Sequence, residues 1–359
     1  MSRKILALTK YGDLAASTRQ RFVQYKPYLE VCGLDLCISP LFPNAYLKSI
    51  FSNERPSSKV VLSSYINRLR VLLTYKDCDA IWLHYETFPF LPSVFELLPT
   101  LRNIPLIYDL DDAVFHNYDL HRYKPVRLVL SEKLGPVVRR AHLNMCGNAY
   151  LLDWARQYNQ NSTIVPTVVD IEAYCPATPA KEGARPVVGW IGSPSTWKFV
   201  EPHLKGLREA VGEFSGRVLV VGSGEQIPEL PDLEYRKWNE QAELRDLHEM
   251  TIGVMPLPDT PWTRGKCGYK LIQYMACGLP VIASPVGVNC EIVEHGVNGF
   301  LATTEAEWRQ ALTILLSDPE LRRRMGAAGR RKIEEHYSLQ KWGPKVAEML
   351  CKIAERGRP

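Results

Sequence analysis

The sequence predicts an α/β protein built from two doubly wound, Rossmann-like domains facing a cleft. Short apolar runs alternate with amphipathic stretches through residues 5–165, the pattern of βαβ units around a largely parallel sheet. Over residues 170–186 the text DIEAYCPATPAKEGARP loses periodicity and gathers proline, alanine, glycine and charge, as an interdomain linker does. The alternation then restarts at Val187. A chain of 359 residues with 46% hydrophobic and 23% charged content can fill two such cores. The expected division is a first domain over 1–168, a linker over 169–186, a second domain over 187–337 and a last helix over 338–359.

Taken in order, strand-like runs fall at 5–8, 34–38, 80–83, 106–108, 143–146 and 163–165. Helical patterns at 19–31, 60–73, 94–101, 126–140 and 149–158 lie between most of them. The second half places strands at 187–191, 218–221, 233–235, 252–255, 281–283 and 299–302. Its helices are expected at 200–211, 241–249 and from near Gly268, then at 307–316, 319–337 and 339–356. Within KCGYKLIQYMACGLPVIASPVGVN, residues 266–289, Leu271, Ile272, Met275 and Ala276 recur at helical spacing, and Cys277-Gly278 supplies a left-handed stop before Pro280. Val281, Ile282 and Ala283 then read as a short buried strand.

Composition narrows the function. A net charge of +5 is far from the basic stripe of a dedicated nucleic-acid binder, so no nucleic acid is expected as a partner. The nine cysteines are odd in number, scattered through apolar segments and without a C-x-x-C pair, which suits buried thiols in a reducing compartment. The N-terminal run after Arg3-Lys4 superficially resembles a signal peptide, but it ends at Thr9-Lys10 without a small-residue cleavage site, and a first buried strand is expected instead. No run of apolar residues is long enough to span a membrane.

Three loops after second-half strands carry unusual residues. In GWIGSPSTWKFV, Gly192 opens a small polar turn and Lys198 is expected to enter a helix; glycine admits close approach of backbone N–H groups to an anion, and lysine adds a full charge. An ordinary βα turn with a solvated lysine is the alternative. Gly222-Ser223-Gly224 is a lone G-x-G and a weak signal. In the third loop Lys266 sits at the mouth of a helix whose face carries Lys270 and Gln273, and like charges one turn apart repel unless an anion or solvent lies between them. A solvated face is the alternative here.

QYMACGLPVIASPVGVNCEIVEHGVNGFLA, followed by an Asp-Pro-Glu helix and EEHYSLQKW, resembles the C-terminal domain of family 4 (group 1) retaining glycosyltransferases of the GT-B fold. VPTVVD, VVGWIGSPSTWKFV and IGVMPLPD fall in that family's order and spacing. The resemblance implies transfer of a sugar from a nucleotide-diphosphate sugar to the hydroxyl of a glycan or lipid-linked acceptor, in cell-surface polysaccharide synthesis. The donor would bind the second domain and the acceptor would lie against the first. Front-face displacement, with the leaving phosphate helping to deprotonate the incoming hydroxyl, is the chemistry it implies, without a tightly bound cofactor or metal. The final helix, with Trp342, Val346, Met349, Leu350 and Ile353 on one face, would cross back to the first domain.

Carried over by position, the donor site comprises Gly192, Ser193, Lys198, Lys266, Cys267, Gly268, Tyr269, Lys270 and Gln273. Amides at Cys267, Gly268 and Tyr269, with Lys266 and Lys270, would hold the diphosphate. Where the family carries two glutamates, this chain has Gly265 and Gln273; where it tends to carry an arginine, this chain has Ser193. Arg264, Lys266 or Lys270 could restore that charge. The candidate catalytic residues are Asp109, Asp111, Asp112 and His116 of IYDLDDAVFH, which could orient acceptor hydroxyls or stabilise positive character at the sugar carbon. A turn capping the next segment is the alternative for Asp109. Arg19 and Arg21 are candidates for an anionic acceptor or donor phosphate, and His84 and Glu86 are weaker ones. A cytoplasmic protein is expected, with peripheral contact at the inner face of a membrane as a further candidate: residues 121–140 mix six Lys/Arg with an apolar stripe. Two other readings keep part of this picture: an epimerase or phosphorylase on the same fold, or a noncatalytic sugar-nucleotide-binding scaffold.

Overall fold

The computed structural model describes residues 3–51, 54–75, 77–176, 185–224 and 230–355. Part of the expected linker, 177–184, and residues 225–229 after the G-x-G turn lie outside them. The chain forms two compact units. Unit 1 comprises Met1–Thr167, Arg264–Cys267 and Leu339–Pro359; unit 2 comprises Val168–Thr263 and Gly268–Ser338.

Unit 1 is a parallel sheet flanked by helices. Its strands are β1 (Arg3–Tyr11), β2 (Leu34–Phe42), β3 (Ala80–His84), β4 (Leu106–Leu110), β5 (Leu143–Cys146) and β6 (Ser162–Ile164), in the order β2-β1-β3-β4-β5-β6. β1 pairs with both β2 and β3, Ile5 lying opposite Leu36 on one side and Ala80 on the other. Chain progression reverses there, so the loops leaving β1 and β3 diverge at the carboxyl edge. The helices are α1 (Ala16–Arg21), α2 (Lys26–Val31), α3 (Asn44–Phe51), α4 (Ser58–Thr74), α5 (Ser93–Glu96), α6 (His116–Asp119), α7 (Lys124–Leu130), α8 (Gly135–Arg140) and α9 (Ala149–Arg156). Three single helices expected from periodicity are divided. Val23–Tyr25 turns as a 3₁₀ segment between α1 and α2, Leu98–Arg102 does so after α5, and residues 131–134 separate α7 from α8. Each second piece begins with a proline in its first turn, where the missing N–H costs no helical bond.

Core residues Leu6, Leu8, Ile81, Leu83, Leu106, Val137 and Leu151 pack one face of this sheet. Helix α4 follows only in part the usual rule that a surface helix turns its apolar face inward: Val71 and Leu72 pack on the core, whereas Leu62, Ile66, Leu69 and Leu73 are exposed. It buries Ser64 and Arg68, and Arg68 Nη2 donates to the carbonyls of Thr9 at 2.7 Å and Ser39 at 3.0 Å. Burial pushes that guanidinium down to about 9.

Unit 2 holds β7 (Val187–Ile191), β8 (Arg217–Val221), β9 (Leu233–Arg236), β10 (Ile252–Met255), β11 (Val281–Ala283) and β12 (Gly299–Leu301), in the parallel order β12-β11-β10-β7-β8-β9. Its helices are α10 (Pro194–Trp197), α11 (Leu204–Gly212), α12 (Glu240–Glu249), α13 (Pro261–Arg264, whose last residue belongs to unit 1), α14 (Tyr269–Ala276), α15 (Asn289–Ile292), α16 (Glu305–Ser317) and α17 (Pro319–His336). The switch point lies between β7 and β10. One sheet face packs on α14 and α17 through Leu271, Met275, Val281 and Ile333; the other packs on α11 and α16 through Leu207, Val218, Leu312 and Leu315.

The last helix, α18 (Leu339–Glu355), is counted in unit 1, where Gly343 faces the Tyr28 ring so closely that a Cβ would lie 2.7 Å from it. Val346, Ala347 and Leu350 are buried beneath it. The cysteines are all free thiols, and the expectation that they are buried holds only in part: Cys146, Cys267 and Cys277 are buried, whereas Cys32, Cys37, Cys175 and Cys290 are exposed. Among the described residues no helix is long and apolar enough to cross a membrane.

Candidate active site

In unit 1 the candidate carboxylates follow β4, and their neighbours separate their roles. Asp109 is fully buried at the strand end; Arg21 binds it through both Nε (2.8 Å) and Nη2 (3.1 Å), and Trp82 Nε1 donates at 3.1 Å. Arg21 Nη1 donates to the Val165 carbonyl at 2.7 Å. Asp109 is therefore a buried structural partner rather than a group facing an acceptor, and Arg21 is likewise withdrawn from any phosphate. Arg19 is also turned to structure, donating to the carbonyls of Asp13 and Leu14 after β1.

His116 is held on both sides: Nδ1 meets Asp119 at 2.8 Å and Nε2 meets the Tyr150 hydroxyl at 2.8 Å. Glu86 is buried and shared by Lys10, Lys133 and Tyr118. The histidine that the β4 carboxylates do meet is His84, at the end of β3, whose Nε2 lies 3.0 Å from Asp111 Oδ1. His84 Nδ1 is buried without a hydrogen-bond partner. Tyr85 follows at φ 64, a left-handed conformation uncommon for a bulky residue, and its ring stacks on His84 at 3.6 Å. A pair 27 residues apart in sequence leaves no local motif; the shared signal was only that both residues end strands.

Burial would push Asp111 up, but the hydrogen bond and charge of His84, with Arg21 and Tyr85, hold it down to about 2. A depressed carboxyl stabilises the fold above its unfolded value, and that contribution is lost as pH falls through the folded value. Asp111→Asn is therefore expected to cost about 2 kcal/mol at neutral pH. The gap from wild type should close between about pH 4 and pH 2 in acid-unfolding curves. A constant gap across that window would rule out the His84–Asp111 linkage.

Residues 264–267 complete this cluster. Lys266 Nζ sits 2.8 Å from Asp112 Oδ1, Cys267 Sγ donates to the Asp111 carbonyl at 3.0 Å, and Asn148 Nδ2 donates to the Lys266 carbonyl at 2.9 Å. Lys266 thus answers a carboxylate in unit 1. A Cβ on Gly265 would fall 2.4 Å from Ala113 Cβ and 2.9 Å from its backbone nitrogen. Close packing leaves no room there for a glutamate.

In unit 2, Gly192 follows β7, and Ser193 caps the four-residue α10, its backbone N–H donating to Thr196 Oγ1. Lys198 ends α10 instead of entering a helix, and its ammonium lies 5.1 Å from the Phe199 ring centroid. Gly222, at φ 83 after β8, approaches so closely that a Cβ would stand 2.3 Å from the Gly192 carbonyl oxygen. Lys270 joins the same spot: its Cε would be 2.8 Å from a Cβ on Gly192, and its Nζ is 5.7 Å from the Trp190 centroid. Gly268, left-handed at φ 67, caps α14 without a side-chain cap, and Tyr274 accepts the Ile191 N–H at 3.0 Å to hold α14 on β7. Two glycine turns and a lysine from the first turn of α14 therefore converge beside β7, an arrangement suited to a phosphate group.

Gln273 is buried, and its amide donates to Glu243 Oε1 at 2.8 Å and to the Tyr174 hydroxyl at 3.3 Å. Glu243 also accepts from Trp238 Nε1 at 2.6 Å and from Tyr174. Gln273, expected at the donor site, thus spends its amide on Glu243 and Tyr174. The carboxylate at this place comes from α12, too far along the chain to be linked by pattern. Among the described residues no three His, Cys, Asp or Glu side chains group as metal ligands.

Residues 185–318 match the family model described as "Glycosyl transferases group 1". The chain is 36% identical to spore coat protein SA of Bacillus subtilis over 89 residues, 24% of this chain and 22% of that protein. It is 26% identical over 218 residues to a GDP-mannose-dependent monoacylated alpha-(1-6)-phosphatidylinositol monomannoside mannosyltransferase of Corynebacterium glutamicum, 52% of this chain and 55% of that protein. These matches span between about a fifth and about half of the relatives' lengths. In fold it is similar to Anabaena Alr3699/HepE in complex with UDP-glucose, with a TM-score of 0.73 at 17% identity, over 97% of this chain and 99% of that one.

Proposed function

We propose that this chain, whose residues 185–318 belong to the group 1 glycosyltransferases and whose two sheets form the GT-B fold, is a retaining glycosyltransferase using a nucleotide-diphosphate sugar. The observation that carries the reading is the meeting of Gly192, Gly222 and Lys270, from the first turn of α14, beside β7. Preorganised amides and a lysine at one point stabilise charge that develops on a leaving diphosphate without having to reorganise. The GDP-mannose dependence of the Corynebacterium glutamicum mannosyltransferase supports that class, and the fold neighbour Alr3699/HepE binds UDP-glucose. A glycan or lipid-linked hydroxyl is the acceptor we infer, in cell-surface polysaccharide synthesis at the inner face of a membrane; the lipid named in the mannosyltransferase's description supports the lipid-linked form.

In unit 1, Asp111, positioned by His84, is the carboxylate left for the acceptor side, because Asp112 is paired with Lys266. The diphosphate charge is met in this reading by amides and lysines, so turnover should survive a chelator. Incubation with a panel of sugar nucleotides, following release of free nucleoside diphosphate with and without acceptors, tests the reaction. Epimerisation leaves the nucleotide attached, and a scaffold releases none. Lys270→Ala and Lys198→Ala should each weaken nucleoside diphosphate binding about tenfold or more, a charge-assisted contact being typically ~1.5–3 kcal/mol. Lys266→Ala, whose ammonium is paired with Asp112, should weaken it far less. Calorimetry unchanged in both the Lys270 and Lys198 variants would remove the phosphate assignment.

A further inference from the structure

We propose that the outer face of α4, together with Phe90 and α7, docks unit 1 on an anionic lipid surface. While α4 turns Ser64 and Arg68 inward, it presents Leu62, Ile66, Leu69 and Leu73 to solvent, with Leu62 63% and Leu73 60% exposed. Those four positions follow the spacing of a single helical stripe. Exposing four large aliphatic side chains on one face while burying a guanidinium is costly for an isolated unit, which points to an apolar environment for that face.

The stripe is continuous with a second apolar group. Tyr65, on the same helix, donates to the Pro89 carbonyl at 2.6 Å and packs on Phe88. Phe90 follows, 57% exposed, and is held at φ 58 by its N–H to the Tyr118 hydroxyl at 3.1 Å. A left-handed aromatic presented to water is unfavourable twice over, in backbone and in solvation. Its ring meets His121, which meets Tyr123, and α7 beyond exposes Leu128 and Val129.

Charge selects the occupant. Helix α4 carries Lys59 and Arg70 on its exposed surface and no acid at all, and residues 120–130 carry Arg122, Lys124 and Arg127, again without an acid. Two copies of this chain pairing through α4 would oppose like charges, whereas a membrane leaflet bearing anionic headgroups complements them. The basic stretch over 121–140 contributes only through its first half, because Lys133 is buried between Glu86 and Glu96 and Val137 and Val138 are core. The inference rests on the transferase reading only for its purpose, presenting a lipid-linked acceptor; the docking itself needs no substrate.

Flotation of the full chain with vesicles of phosphatidylcholine, alone or mixed with phosphatidylglycerol, tests it. The wild type should float with the mixed vesicles and not with the neutral ones, and less as salt is raised. Ile66→Ser/Leu69→Ser and Phe90→Ser should each reduce that partitioning about tenfold. Lys59→Ser/Arg70→Ser and Arg122→Ser/Lys124→Ser should reduce it about as much on mixed vesicles at low salt. All these positions are exposed, so melting curves should match the wild type. Absence of flotation by the wild type, or flotation untouched by the α4 and Phe90 variants, overturns the proposal. So does a concentration-dependent dimer abolished by Ile66→Ser/Leu69→Ser while flotation persists. Nucleoside diphosphate binding intact in a chain that does not float would sink this surface alone, and vesicle binding without donor binding would sink only the transferase reading.

Discussion

Arg21→Ala should destabilise unit 1 by about 3–5 kcal/mol, the cost of leaving one member of a buried ion pair without its partner. Among the described residues no other cation lies in hydrogen-bond reach of Asp109: the carboxylate has two bonds from Arg21 and one from the neutral Trp82 indole. Burial already pushes the Asp109 carboxyl up, and Arg21 is the main influence opposing it. Without the arginine the folded carboxyl binds its proton more tightly still. A raised folded value stabilises below the unfolded value and is lost as pH rises through the folded one, so the variant should suffer least in acid and most at neutral pH. Denaturant unfolding at several pH values measures this. Arg21→Ala/Asp109→Leu should recover part of the loss by removing the stranded charge; a double variant as unstable as the single one would refute the pair's assigned role.

Gly326→Val should be of similar size in unit 2, about 3 kcal/mol or more from overpacking. A Cβ at Gly326 on α17 would lie 1.9 Å from the Gly278 carbonyl oxygen, and one at Gly329, a turn later, 2.9 Å from Met275. Backbone cannot swing aside as a side chain can, so α17 would have to lift from α14 and the stop that follows it. Because α14 holds Lys270 against the Gly192 turn, lifting it should also weaken nucleoside diphosphate binding. Gly206→Ala, where the nearest atom to a new Cβ is 3.7 Å away, is the control and should be close to neutral. Thermal unfolding and calorimetry on both variants decide the matter; a Gly326→Val protein as stable as Gly206→Ala would mean that α17 is not seated this tightly.

Local text carried twelve strand segments, including Val187–Ile191, Ile252–Met255 and Leu143–Cys146 to the residue, and the α14 turn into β11. Apolar runs bounded by glycine and proline report a buried strand because burial on both faces leaves no polar period to misread. The alternation also carried the two parallel sheets, since parallel strands require crossovers. It could not determine what lies opposite a given face. Tertiary structure alone turned Leu62, Leu69 and Leu73 of α4 outward and Arg68 inward, bound Asp109 to Arg21 across 88 residues, and gave the Gln273 amide to Glu243 on another helix. It likewise paired Lys266 with Asp112. A charge in a motif is free to bind a ligand only if no nearer opposite charge claims it. Which group is nearer depends on contacts between distant parts of the chain, and periodicity within a window of one helix or strand contains no information about them.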